Sequence, residues 1–130
     1  MLSVPWTRTV PPDAADGTYT VMVGRLRPRS RRGLLPVLVW AARMRPVLAR
    51  TPGVAGHTIG VDVVRPAVWI VSAWTSRTAL SAFDHGGMHR SAKVDLRTVL
   101  APSTFAVWSC PAGALPPAWD EVRDRIDAVS

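Results

Sequence analysis

Apolar and polar positions along the chain switch between a two-residue and a helical period. From Thr18 to Leu26 the run TYTVMVGRL is β-branched and apolar on both faces, and it predicts a central strand between Gly17 and the Arg-Pro-Arg-Ser that follows. Leu34, Leu38, Ala41, Ala42 and Leu48 then recur at three- and four-residue steps. This spacing predicts a helix over 33–49, with Pro36 in its first turn and Pro46 bending or ending it near Arg45. After the turn TPGVAG, the segments 57–63 and 67–75 read as strands joined by Val64, Arg65 and Pro66, a hairpin signal. Ser76 can cap a helix whose apolar stripe runs through Leu80 and Phe83 to Val94 and Val99, and the pair Gly86-Gly87 splits it in two. The segment 103–110 is a fourth strand. The segment 117–129 is an amphipathic helix with Asp120 and Glu121 in its first turn, where the helix dipole favours acids. Residues 1–17 have no period and read as an arm or lead-in strand.

Strand, helix, strand, strand, helix, strand is the split βαβ pattern of ferredoxin-like α+β folds, with two helices on one face of a four-stranded antiparallel sheet. One domain over 18–130 follows, with 1–17 as its N-terminal arm. The strands are apolar on both faces: Trp69, Val71 and Ala73 point one way, Val68, Ile70 and Trp74 the other. The face without helices therefore needs a cover, and a second copy of the chain is the economical one, making a homodimer.

Composition narrows the class. The chain has 130 residues, 48% of them hydrophobic, enough for one core and a modest pocket. The longest apolar run, 33–42, is cut by Pro36 and falls short of the roughly 20 residues that span a bilayer, so no membrane partner is expected. The start lacks an apolar run of signal-peptide length, which gives a cytoplasmic expectation. Cys110 stands alone and reads as a small core filler. There is no Gly-x-Ser-x-Gly, no GxGxxG and no GxxxxGK, which argues against a serine hydrolase and a tightly held nucleotide. The net charge is +7, and Arg25, Arg27, Arg29, Arg31 and Arg32 crowd one stretch. That run could meet an acyl-carrier protein or an acidic substrate. Its loop position and the absence of a helix-turn-helix argue against nucleic acid.

The stretch from Trp40 to Phe83, with Ala42-Arg43-Met44, Arg-Thr-Pro-Gly, VWIVSAW and a helix ending in Phe83, resembles the antibiotic-biosynthesis-monooxygenase-like superfamily of dimeric α+β barrels. It is similar over the same stretch to spheroidene monooxygenases. Gly86-Gly87-Met88-His89-Arg90 and VWSCPAGALPPAWDEVRDRI resemble small bacterial members of that superfamily with no assigned reaction. The resemblance implies a head-to-tail dimer of sheets, a pocket between each sheet and its own helices, and the possibility of oxygenating anthrones and related phenols without metal or flavin. It also admits cyclases, isomerases, haem proteins and non-catalytic ligand-binding modules.

His85 and His89 are four residues apart and share a helix face if the helix survives Gly86-Gly87. His89, in the position of the superfamily's His-Arg pair, is the expected base, with Arg90 holding the resulting oxyanion and His85 the secondary catalytic candidate. No cofactor is expected, although His89 or His85 could serve as an axial haem ligand, and no metal set is evident. His57, near a strand start, reads as a satisfied edge residue. Six tryptophans favour a flat aromatic or polyene ligand. Trp40, Trp69, Trp74, Trp108, Met44 and Phe83 are the expected pocket lining, although Trp69 and Trp74 lie an odd number of positions apart and only one of them can face it. The resulting expectation is a monooxygenase of secondary metabolism acting on an aromatic or polyene, polyketide-like intermediate, with an oxygen-independent cyclase or isomerase as the alternative.

Overall fold

The computed structural model describes residues 1–9, 17–84 and 94–130. Among these residues the elements run in the order β1 (Leu2–Ser3), β2 (Thr7–Arg8), β3 (Thr18–Leu26), α1 (Leu34–Arg50), β4 (Val54–Asp62), β5 (Ala67–Trp74), α2 (Arg77–Asp84), β6 (Thr104–Pro111) and α3 (Trp119–Val129). The sheet is antiparallel in the order β1-β4-β5-β3-β6, with β2 also pairing β4. Its four long strands have the expected ferredoxin-like arrangement. The arm adds β1 and β2 beyond β4, so the sheet is wider than four strands.

Two elements depart from the sequence expectation, each for a packing reason. Helix α1 runs through Pro46 to Arg50. An interior proline removes one backbone bond and costs about 3 kcal/mol in a free helix. Here the last turn is retained by Leu48, which is buried against Val54 and Trp74, and by Thr51, whose backbone N–H bonds the Leu48 carbonyl and whose hydroxyl donates to the Val47 carbonyl. Gly53 then turns the chain at φ +90°, where a side chain would also collide with Ala79.

The second departure concerns the cover of the sheet. Helix α3 folds back over the face opposite α1 and α2, and its Val122 and Ile126 join Val21, Val23, Trp69, Val71, Ala106, Trp108 and Cys110 in one buried cluster. Trp6 of the arm and Trp119 pack at its margin. Within a single chain Val21 and Val23 are already fully buried. A second copy is therefore not what covers this face, because the terminal helix supplies the apolar surface that a partner sheet was expected to bring.

The opposite face carries α1 and α2. Register places Val54, His57 and Ile59 of β4, Val68, Ile70, Ser72 and Trp74 of β5, and Thr20, Met22, Gly24 and Leu26 of β3 on that side. Ser76 caps α2 as expected, its Oγ accepting the Ala79 N–H at 3.1 Å. Among the described residues no helix is long and apolar enough to cross a membrane.

Candidate functional site

Helix α1 does not lie flat on the sheet along its whole length, and the gap is a cavity of about 190 Å³. Its floor is β3 and β5, through Met22, Gly24, Leu26, Ile70 and Ser72. Its roof is Trp40, Ala41, Met44 and Leu48 of α1, spaced at helical intervals. Phe83 of α2 closes one end, and Leu96, Leu100, Ser103 and the exposed Phe105 form the other side. Gly24 is required for this shape: a Cβ there would meet the Phe105 ring at 2.8 Å, so only glycine lets that ring lie across β3 as a wall. Apart from the Trp40 indole, Ser72 and Ser103 are the only described lining side chains with a polar atom. Such a site excludes ions and favours a flat apolar molecule.

Trp74 stands one layer behind. It is fully buried, its ring meets Phe83 at a centroid distance of 5.3 Å, and its Nε1 donates to Ser72 Oγ at 2.8 Å. The tryptophan thus fixes two cavity residues without lining the cavity. Beside Ser72 on the neighbouring strand is His57, its register partner. His57 is 1% exposed, and neither ring nitrogen has a hydrogen-bond partner in the described structure. Burial first and the nearby Arg45 guanidinium second push its pKa below the usual histidine range, which keeps the ring neutral near pH 7. It is not the satisfied edge residue that its place near a strand start suggested, because β2 pairs outside it and α1 lies above it, with Arg45 Nη2 donating to Thr7 Oγ1 at 2.8 Å.

The expected lining residues therefore divide. Trp40, Met44 and Phe83 come together around the cavity. Trp69 and Trp108 do not, because strand parity turns them to the α3 face. There the Trp69 ring lies between Arg25, 5.8 Å from its centroid, and Arg123, 5.1 Å away. Its Nε1 donates to Asp62 at 3.1 Å, and Asp62 also accepts from Arg123. Arg125 stacks on Trp108 at 4.9 Å. These are structural contacts. The expected catalytic residues His85, His89 and Arg90 lie outside the described residues. Cys110 is buried on the α3 face, and burial pushes its thiol pKa up, as a core residue requires. Sequence reasoning missed the aliphatic lining, Phe105 and both serines, and for Ser72 the signal was its even spacing from Trp74 on one strand.

The basic run is not a uniform patch. Arg25 is folded onto Trp69 with Nη2 donating to Thr104 Oγ1, while Arg29 and Arg31 donate to the carbonyls of Leu100 and Val64. Arg27 and Arg32 are exposed.

No family model matches the sequence, and no curated protein matches it. Solved structures do share its fold. A protein of unknown function from Nitrosomonas europaea aligns with a TM-score of 0.65 at 14% identity, over 78% of this chain and 98% of its own. A candidate antibiotic biosynthesis monooxygenase from Deinococcus radiodurans aligns with a TM-score of 0.62 at 12% identity, over 68% and 89%. SnoaB, a cofactor-independent oxygenase from Streptomyces nogalater, aligns with a TM-score of 0.57 at 18% identity, over 75% and 97%. The chain has the ferredoxin-like α+β fold of the antibiotic-biosynthesis-monooxygenase-like proteins.

Proposed function

We propose that the chain is a cofactor-independent monooxygenase acting on a small flat aromatic intermediate of secondary metabolism, bound between α1 and the sheet. The observation that carries this reading is the cavity itself: aromatic and aliphatic walls, two serines, and no charged side chain among the described lining residues. Its volume is below the roughly 300–1,000 Å³ of common ligand sites, which suits about three fused rings better than a long polyene. The fold shared with an oxygenase that needs no cofactor supports the same choice.

In this reading His89 takes a proton from the activated carbon, Arg90 holds the oxyanion that forms, and His85 assists. The resulting carbanion is electron-rich enough to react with O₂ directly. The homodimer that the resemblance implies would use the free edge strand β6, where Phe105 and Val107 are exposed, because the α3 face is already covered. The exposed arginines Arg27 and Arg32 would suit an acidic carrier protein that delivers the intermediate.

The test is oxygen uptake with anthrone in the presence of a metal chelator. The balanced reaction is anthrone plus O₂ giving anthraquinone plus water. Uptake well above the buffer rate, with one O₂ consumed per quinone and loss of that rate in His89→Ala, is the expected result. Conversion without oxygen uptake would replace the oxygenase by a cyclase or isomerase, and binding without conversion would leave a ligand-binding module.

A further inference from the structure

Ser72 lines the cavity, and next to it on β4 is His57, which is buried and not itself a lining residue; both are incompletely paired among the described residues. Ser72 Oγ lines the cavity, is 1% exposed, and accepts the Trp74 indole N–H at 2.8 Å. A serine hydroxyl has one hydrogen to give, and that hydrogen has no acceptor among the described residues. His57, its register partner across β4 and β5, lies on the same face of the sheet, and paired residues on one face place their Cβ atoms about 5 Å apart. A neutral imidazole carries one N–H and one acceptor nitrogen, and both are buried here without a partner among the described residues. Leaving such groups unpaired costs about 1–3 kcal/mol each, so structures retain them where a ligand or water completes them. The two other groups close to His57 do not complete it. Thr7 Oγ1, which accepts from Arg45, and the Arg45 guanidinium make no hydrogen bond to either ring nitrogen.

We propose that Ser72 and His57 form a polar anchor at the inner end of the cavity, where the Ser72 hydroxyl and the His57 N–H donate to a single carbonyl oxygen of an otherwise apolar ligand. Trp74 is the positioning residue. By occupying one lone pair of Ser72 Oγ it turns the hydroxyl hydrogen away from itself and toward the cavity. A carbonyl oxygen has two lone pairs and takes both donors. A carboxylate would bring an uncompensated charge beside apolar walls, which desolvation disfavours. The anchor rests on the reading of the cavity as a ligand site and adds to it the orientation of the ligand, with its ketone inward beneath α1.

The probes are fluorenone and fluorene, a flat tricyclic ketone and its hydrocarbon counterpart, titrated calorimetrically into the full chain and into Ser72→Ala and His57→Phe. Each variant is expected to weaken fluorenone about three- to tenfold and fluorene less than twofold. Equal losses for both probes, or none, would overturn the anchor while leaving the cavity as a binding site. If neither probe binds the unaltered chain, the cavity reading and the anchor fall together. Because Ser72→Ala removes the acceptor of a buried tryptophan, a second readout uses the unaltered chain alone. The infrared carbonyl band of bound fluorenone should lie at lower frequency than in an apolar solvent, as two donors require. An unshifted band contradicts the proposal.

Discussion

The two faces of the sheet are built from similar residues and do different work. On the α3 face, Trp69 and Trp108 are packed under arginines in the cluster around Val122 and Ile126, and the cleft beside Arg123, unlike the cavity under α1, is lined by the charged side chains of Asp62, Arg65 and Arg123. On the α1 face, an aromatic and a methionine roof stands off the strands, and the described residues leave the space between them open. Close packing is the default of protein interiors, so an apolar void at one place implies a use there. The difference teaches that tryptophan content alone does not locate a binding site. What matters is which face each ring occupies and whether anything packs behind it.

Breaking the closed face should cost the most. Trp69→Ala removes a nearly buried ring with its indole bond to Asp62, and a loss of about 3–5 kcal/mol is expected in urea denaturation, with fluorenone binding by the remaining folded fraction unchanged. Ile126→Ala, fully buried on the same face, should cost about 2–5 kcal/mol. A like-for-like loss of ligand affinity in either variant would mean that the faces are not independent.

Filling the open face should have the reverse signature. Ala41→Leu places added volume into the cavity roof, and probe affinity is expected to fall at least tenfold while stability changes by about 1–3 kcal/mol or less. The comparison to make is the ratio of the two effects, calorimetric affinity against urea midpoint, in Ala41→Leu and in Ile126→Ala.

His57 gives the open face a pH dependence on the acid side of neutrality. Its folded pKa lies below its unfolded value, so well above pH 6.5 the ring is neutral in both states and contributes no proton-linked loss. As pH falls below about 6.5 the unfolded chain binds a proton that the folded chain resists, and stability declines by at most about 1.4 kcal/mol per pH unit. The slope difference between the unaltered chain and His57→Phe isolates this contribution, and identical slopes would show that the ring is not held neutral.

The smallest effect is expected at Arg123→Ala. Its guanidinium pairs with Asp62 and stacks on Trp69 but is 40% exposed, so the loss should be about 1 kcal/mol or less and should shrink with added salt.

These contrasts also explain what the sequence made legible. The strand over 18–26, the hairpin and the Ser76 cap could be read because local period and capping chemistry determine them. Strand parity correctly separated Trp69 from Trp74, but the side that α1 occupies is a tertiary fact, so parity could not say which one was near the pocket. Of the two outcomes expected at Pro46, a bend or an end, the helix does not end, because the packing of Leu48 that carries it on is non-local. The cover by α3 was missed because amphipathicity shows that a helix has an apolar stripe and leaves open which surface that stripe meets. His57 looked peripheral because β2, with almost no sequence signal in two residues, pairs beyond it.

The division of the two faces is tested most directly by nuclear magnetic resonance of the chain carrying methyl-labelled methionine, titrated with fluorenone. Met22 and Met44 line the cavity, whereas Met1 lies at the edge of the sheet over Gly60. The methyl signals of Met22 and Met44 should move together and saturate at one concentration while Met1 stays in place. Movement of Met1, or saturation with Met22 and Met44 unmoved, would contradict a ligand site between α1 and the sheet.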